Sequence, residues 1–279
     1  MIGVIGLGLI GGSMAKALNQ MTGDNVYGYD ANPDVVRKAK LVNAIEDELT
    51  EELLPLCDLV IVALYPEDTV AAIQRFAPHF KKEAVVLDCA GVKRAVVPPC
   101  QKLAEEHGFW FVGGHPMAGL EHAGFEYARK ALFSNASMIL VPMHLMPLGK
   151  IEDLKKLLSS IGFTNIEITS PEDHDRLIAF TSQLAHIVSS AYIKSPHAER
   201  HKGFSAGSYN DLTRVAKLNE IMWTELFLKN RDNLLTEVDA IIDHLQEYRK
   251  ALADEDEKAL EELLRAGRLK KEEIDKEIF

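Results

Sequence analysis

The feature that most constrains this chain is a glycine cluster in its first dozen residues. Gly3-Val4-Ile5-Gly6-Leu7-Gly8-Leu9-Ile10-Gly11-Gly12-Ser13 carries the spacing GxGxxG at Gly6, Gly8 and Gly11. Alone, that spacing is a weak signal. Here the apolar run Met1–Ile5 precedes it, a helical pattern runs through Leu18, and the short run Asn25–Tyr29 ends on Asp30. Strand, turn, helix, strand and acid is the order of a dinucleotide-binding unit. Gly6 permits the tight turn, Gly8 lets the backbone approach a pyrophosphate, and Gly11 lets the helix pack on the strand. The helix N-terminus offers unpaired N–H groups and a positive dipole end to phosphates. Leu9 and Ile10 lie in the same turn and join the three glycines as cofactor-binding candidates. Asp30 follows Gly11 by 19 residues, where an acid binds ribose hydroxyls. A carboxylate there repels a 2′-phosphate, and no Arg occurs at 31–36, so the expected cofactor is NAD.

The pattern then repeats. Leu59–Leu64, Ala84–Asp88, Phe109–Gly113, Ser137–Val141 and Asn165–Thr169 read as further strands between helical segments, Ile151–Ile161 among them. Strands alternating with helices predict a parallel sheet covered on both faces, a Rossmann-type α/β domain. Ligands in such sheets bind beyond the carboxyl ends of the strands. Leu64, at one strand end, and Gly91, after the next, are therefore further cofactor candidates. Lys93 follows Gly91, and His115 sits in Gly113-Gly114-His115-Pro116-Met117-Ala118-Gly119. A histidine in a glycine-flanked loop has little packing role, and the topology puts it beside the reactive end of the cofactor. His115 is the catalytic candidate.

From Ser170 the texture is helical. Ser170-Pro171-Glu172-Asp173 reads as a helix start, with His174–Lys194, Asp211–Lys217, Ile221–Leu228, Asn230–Leu252 and Asp256–Ala266 after it. The expected domains are 1–169, nucleotide-binding, and 170–279, all-helical. His186 lies mid-helix and Arg214 in Asp211-Leu212-Thr213-Arg214-Val215-Ala216. On spacing alone these read as a core histidine and a surface arginine. Gly203-Phe204-Ser205-Ala206-Gly207 matches GxSxG, but a polar loop precedes it where a nucleophile elbow needs a strand, so a serine hydrolase is set aside.

Composition narrows the partners. The formal charge of −11 argues against nucleic acid, which needs clustered positive charge. No apolar run approaches the roughly 20 residues that cross a bilayer. No targeting segment is expected before the first strand. Cys57, Cys89 and Cys100 have neither CxxC spacing nor an even count, which suits a reducing, cytoplasmic location without disulfides or a metal site.

Taken together, the motifs resemble one family. They are Gly6/Gly8/Gly11, Asp88…Val92-Lys93, Gly114-His115-Pro116-Met117-Ala118-Gly119 with Glu121, Ser170-Pro171-Glu172…His174-Asp175, His186, Asp211–Ala216 and Ile221-Met222-Trp223. In this order they resemble the prephenate dehydrogenases, the group that includes arogenate and cyclohexadienyl dehydrogenases. The resemblance implies NAD-dependent oxidative decarboxylation of prephenate to 4-hydroxyphenylpyruvate, with His115 as the base. It implies substrate contacts from Arg214, His186 and Lys93, a charged gate of Glu121 and Asp211 with Arg214, and a helical domain that pairs two subunits. Alternatives are arogenate dehydrogenase, a 3-hydroxy-acid dehydrogenase and a non-catalytic NAD-binding regulator. Three positions depart from the family pattern: Gly91 stands where many relatives carry serine, Gln183 where histidine is common, and Tyr209-Asn210 where an aromatic-basic pair is common.

Overall fold

The computed structural model describes residues 1–277. Residues Met1–Asn230 form one compact unit, and the chain from Arg231 onward forms a second. The strands of the first unit are β1 (Ile2–Ile5), β2 (Val26–Tyr29), β3 (Asp47–Glu48), β4 (Leu59–Val62), β5 (Val85–Asp88), β6 (Trp110–Pro116), β7 (Ala136–Pro142) and β8 (Phe163–Ile168). They make one sheet in the order β3-β2-β1-β4-β5-β6-β7-β8. The helices between them are α1 (Leu9–Ala17), α2 (Pro33–Leu41), α3 (Pro66–Phe76), α4 (Val97–His107) and α5 (Leu148–Ser160).

The central strands read as unbroken apolar runs because both faces are covered. Along β4, Leu59 and Ile61 pack into one core while Val60 and Val62 pack into the other. Burying each such side chain stabilises the fold by about 1.5–3 kcal/mol.

The sheet gains one unexpected strand and departs once from the expected parallel order. β3 joins the edge by pairing Asp47 and Glu48 with Tyr27 and Gly28. Both residues are exposed, so no apolar pattern announced them. β7 runs antiparallel to β6, while β8 returns to parallel with β7. The 117–135 connection carries only a single 3-10 turn, Phe125–Tyr127, and lacks the crossover helix that a parallel return uses.

After β8, every element among the described residues is helical. α6 (Pro171–Ile178) starts as the sequence predicts: Ser170 Oγ accepts from Asp173 N–H at 3.1 Å, and Pro171 occupies the first helical position. The expected helix His174–Lys194 is interrupted. A π-turn, Ala179–Leu184, joins α6 to α7 (Ala185–Tyr192). α8 (Gly207–Thr213), a 3-10 turn at Arg214–Ala216 and α9 (Glu220–Lys229) complete the first unit.

Buried Asn230 ties helices to sheet. Its Nδ2 donates to Asp175 C=O at 2.7 Å and to Gln183 Oε1 at 2.9 Å, and its Oδ1 accepts from Arg94 at 3.2 Å. These bonds explain why α6–α9 belong to the same compact unit as the sheet. The second unit is α10 (Arg231–Ala253) and α11 (Glu257–Glu277). α11 runs past the expected end at Ala266, supported by the i,i+4 pairs Arg268–Glu272 and Lys271–Asp275. No helix among the described residues is long and apolar enough to cross a membrane.

Candidate active site

The glycine turn is built as its spacing requires. Gly6 has φ +86°, open to glycine and strained for other residues. A Cβ on Gly11 would stand 1.8 Å from Gly6 O, so this contact between helix and strand admits only glycine. Gly8 differs: a Cβ there meets nothing within 4 Å. The first bond of α1 is Gly12 N–H to Gly8 C=O at 2.9 Å, which leaves the N–H groups of Leu9, Ile10 and Gly11 without intrahelical partners. The turn is therefore an open cradle of donors, fit for phosphate oxygens.

Asp30, at the end of β2, faces this cradle. Its Oδ2 accepts from Leu7 N–H at 2.9 Å and its Oδ1 from Asn32 N–H at 2.9 Å. Leu64, at the end of β4, packs on the turn, its Cδ2 2.6 Å from where a Gly6 Cβ would be.

His115 stands at the carboxyl end of β6, where the strand has outrun its pairing with β5. Its backbone approaches the loop after β5 so closely that a Cβ on Gly114 would lie 2.3 Å from Asp88 O. The His115 Nδ1 lies 2.9 Å from Nε2 of His174 on α6, and His174 Nδ1 lies 2.7 Å from Asp175 Oδ1. Asp175 also accepts from the backbone N–H groups of Lys93 at 2.7 Å and Arg94 at 2.9 Å. Burial would raise Asp175, but His174 and these N–H donors outweigh it and hold the carboxyl below its usual range. Burial pushes His115 well below the ordinary histidine value, and the nearby Lys93 ammonium pushes the same way. Burial also lowers His174, against the pull of Asp175.

These directions order the protons. Ionised Asp175 only accepts, so His174 Nδ1 donates to it and His174 Nε2 is left as an acceptor. His115 Nδ1 then carries the proton and donates to His174. The His115 Nε2 keeps a free lone pair and is the basic atom of the site. Gly91 faces it: a Cβ there would lie 3.9 Å from His115 Nε2 and 3.1 Å from Leu226 Cδ2.

The sequence reading gave His174 and Asp175 no role. Their only local signal was a His-Asp pair in the first turns of a capped helix, which does not name a partner. Lys93 corrects an expectation. Its side chain is 0% exposed, with Nζ 2.5 Å from Asp88 Oδ1 and 2.6 Å from Gly114 O, so the ammonium is enclosed and does not reach a substrate.

His186 and Arg214 lie near each other. His186 Nδ1 donates to Ser182 C=O at 2.9 Å, and the ring stacks on Trp223 with centroids 3.7 Å apart. Burial, and then Arg214, lower His186 despite the Ser182 bond. His186 borders a cavity of about 290 Å³ lined also by Lys194, Glu220, Trp223 and Phe227. Glu121, Asp211 and Arg214 are all exposed. Among the described residues no ion pair joins them, so the expected gate is not assembled here. Three solvated charges gain little from pairing.

Gly8 and Gly11 give a paired prediction. Gly11→Ala is expected to lower the melting temperature, because its Cβ meets backbone. Gly8→Val is expected to leave melting within a few degrees and to weaken dinucleotide binding at least tenfold, because that space is free only until phosphate fills it. Thermal melts with and without dinucleotide check both.

The family model "Prephenate dehydrogenase, nucleotide-binding domain" matches residues 14–167, and "Prephenate dehydrogenase, dimerization domain" matches residues 170–266. The prephenate dehydrogenase of Bacillus subtilis is 31% identical over 260 residues, covering 90% of this chain and 70% of the relative. The structure of Synechocystis arogenate dehydrogenase superposes with a TM-score of 0.82 at 26% identity, over 98% of this chain and 99% of that one. Prephenate dehydrogenase from A. aeolicus, solved with hydroxyphenyl propionate and NAD+, also gives a TM-score of 0.82, at 28% identity over 98% of this chain and 97% of its own. Two adjoining models that together span most of the chain identify it: the chain belongs to the prephenate dehydrogenase family of oxidoreductases.

Proposed function

We propose that this protein oxidises and decarboxylates prephenate to 4-hydroxyphenylpyruvate with NAD. One observation carries the reading: the His115–His174–Asp175 chain leaves His115 Nε2 as a free base beside a dinucleotide cradle. Gly6, Gly8 and Gly11, with Leu9, Ile10, Leu64 and Gly91 around them, would hold the cofactor, and Asp30 its ribose hydroxyls. When bound, NAD supplies the hydride acceptor. Asp30, with both oxygens already receiving backbone N–H groups, disfavours the extra phosphate of NADP.

In this reading His115 Nε2 takes the proton of the substrate's ring hydroxyl while hydride leaves the same carbon. The bond to the ring carboxylate then breaks, carbon dioxide departs, its electron pair completes the aromatic ring, and the ring oxygen takes the proton back from His115 Nε2. Aromatisation drives the reaction, so the protein's task is to orient, deprotonate and hold charge. Arg214 binds a substrate carboxylate by a charge-assisted bond. Replacing Arg214 with Ala is expected to raise the substrate KM by about tenfold or more, with the KM for NAD unchanged. A 3-hydroxy-acid dehydrogenase would use a strand-end lysine, and the enclosed Lys93 ammonium speaks against that.

A second reading, arogenate as substrate, is favoured by one observation. His186 donates its Nδ1 proton to Ser182 C=O, which leaves Nε2 as an acceptor. An acceptor suits the ammonium of arogenate better than the keto group of prephenate. We also propose the division of labour near residue 170, a homodimer formed through the helical part, and a cytoplasmic location. The exposed Ile221 (76%) and Leu228 (65%) support an interface. NADH formation with prephenate and with arogenate, each with NAD and NADP, tests the function. NADH from neither substrate would overturn it.

A further inference from the structure

Where β5 ends, the sheet loses a strand. β5 pairs with β6 only as far as Leu87 opposite Val112. The chain then turns away at Cys89, whose N–H donates to Val62 C=O at 2.9 Å. β6 continues to Pro116, paired there with β7 alone. On the open side, the buried N–H and C=O of Gly114 would be left unpaired, at a cost of about 1–3 kcal/mol each. Two side chains take the missing strand's place. Asp88 Oδ2 accepts from Gly114 N–H at 3.1 Å, and Lys93 Nζ donates to Gly114 C=O at 2.6 Å. The two side chains also bond each other at 2.5 Å, and both are 0% exposed. Meanwhile the backbone N–H of Lys93 donates to Asp175 Oδ1, the oxygen that orders His174 and through it the ring of His115.

We propose that Lys93, paired with Asp88, is a positioning residue for the reaction, holding the backbone before His115 with its side chain and the ring of His115 through Asp175 and His174. The proposal rests on the reading of His115 as the base. Backbone and ring are then fixed from one six-residue segment, Asp88–Lys93, so the lone pair at Nε2 keeps one direction. A shift of about 1 Å at a reacting atom costs up to about 100-fold in rate.

The charges facing His115 make the proposal testable. From α6 they are His174 and Asp175, and from β5 and its loop they are Asp88 and Lys93. Lys93 disfavours a protonated His115, and Asp88, as the ion-pair partner of Lys93, offsets part of that effect. Replacing Lys93 with Met is expected to lower kcat at least tenfold and to move the acid limb of kcat/KM to higher pH. Replacing Asp88 with Asn is expected to lower kcat and move that limb to lower pH. The KM for NAD holds within about twofold in both.

Opposite displacements are the signature, since a packing role alone moves neither limb. Folded variants with kcat within threefold of wild type, or with limbs that stay put or move together, overturn the proposal. If Lys93→Met does not fold, the near-isosteric Asp88→Asn decides alone: a downward limb supports the proposal and an unmoved limb overturns it. His115→Asn, measured in parallel, separates the two readings. Wild-type turnover in His115→Asn ends the base assignment itself. Lost turnover there, with normal behaviour of both other variants, ends only the positioning role.

Discussion

Replacing His115 with Asn is expected to lower kcat by about two to four orders of magnitude while leaving NAD affinity within about twofold. Asparagine keeps the side chain's size and can still donate toward His174, so the fold and the cradle at Gly6–Gly11 are left intact. What it removes is the lone pair of Nε2. Without a base the ring hydroxyl must lose its proton to water as the hydride departs. Stopped-flow binding of NAD and steady-state NADH formation separate the two effects. Loss of NAD binding together with turnover would mean that His115 supports the cradle rather than the chemistry.

The second large effect is expected at Asp175. In Asp175→Asn one carboxylate oxygen becomes an amide donor. If that amide replaces Oδ2 it confronts the Arg94 N–H, and if it replaces Oδ1 it confronts the Lys93 N–H and His174 Nδ1. In the second arrangement His174 must accept at Nδ1 and carry its proton on Nε2. That proton faces His115 Nδ1 and drives the His115 proton onto Nε2, where the base should be. The expected result is a loss in kcat of about 1,000- to 10,000-fold, in line with what the wrong tautomer costs in histidine-dependent enzymes. Stability falls as well, by about 1–3 kcal/mol for a buried donor left without an acceptor. Turnover measured well below the melting temperature, with NAD affinity as control, distinguishes the tautomer effect from unfolding. Full activity in folded Asp175→Asn would contradict the proton order.

These effects were unequally visible in the sequence. The cradle was legible because a tight turn, a helix start and a following acid are encoded within about 30 consecutive residues. β4 was legible because burial on both faces leaves no polar residue in its run. His115 was legible from its place at a strand end. Its partner was not: His174 lies 59 residues away and meets His115 only once α6 packs across the end of the sheet. Local signals at Ser170-Pro171 announced a helix but not what it would face. Lys93 was expected among the substrate contacts, because burial is a property of the fold and not of the residue. The edge strand β3 is held by backbone pairing of two exposed acids, and β7 carries no mark of its direction in its own residues. Gly91 was flagged as a departure, and the structure adds what a side chain there would meet: Leu226 on one side and His115 Nε2 on the other.

His115 works as a neutral base whose proton affinity is held down by burial and by the charge of Lys93. A group shifted downward stays deprotonated to lower pH, so activity should persist below the ordinary histidine value of about 6.5. The most direct test is the pH dependence of kcat/KM for NADH formation from prephenate. The account predicts an acid limb below about pH 6.5 that disappears with the activity in His115→Asn. An acid limb at or above that value, or one that survives in His115→Asn with undiminished turnover, would contradict it.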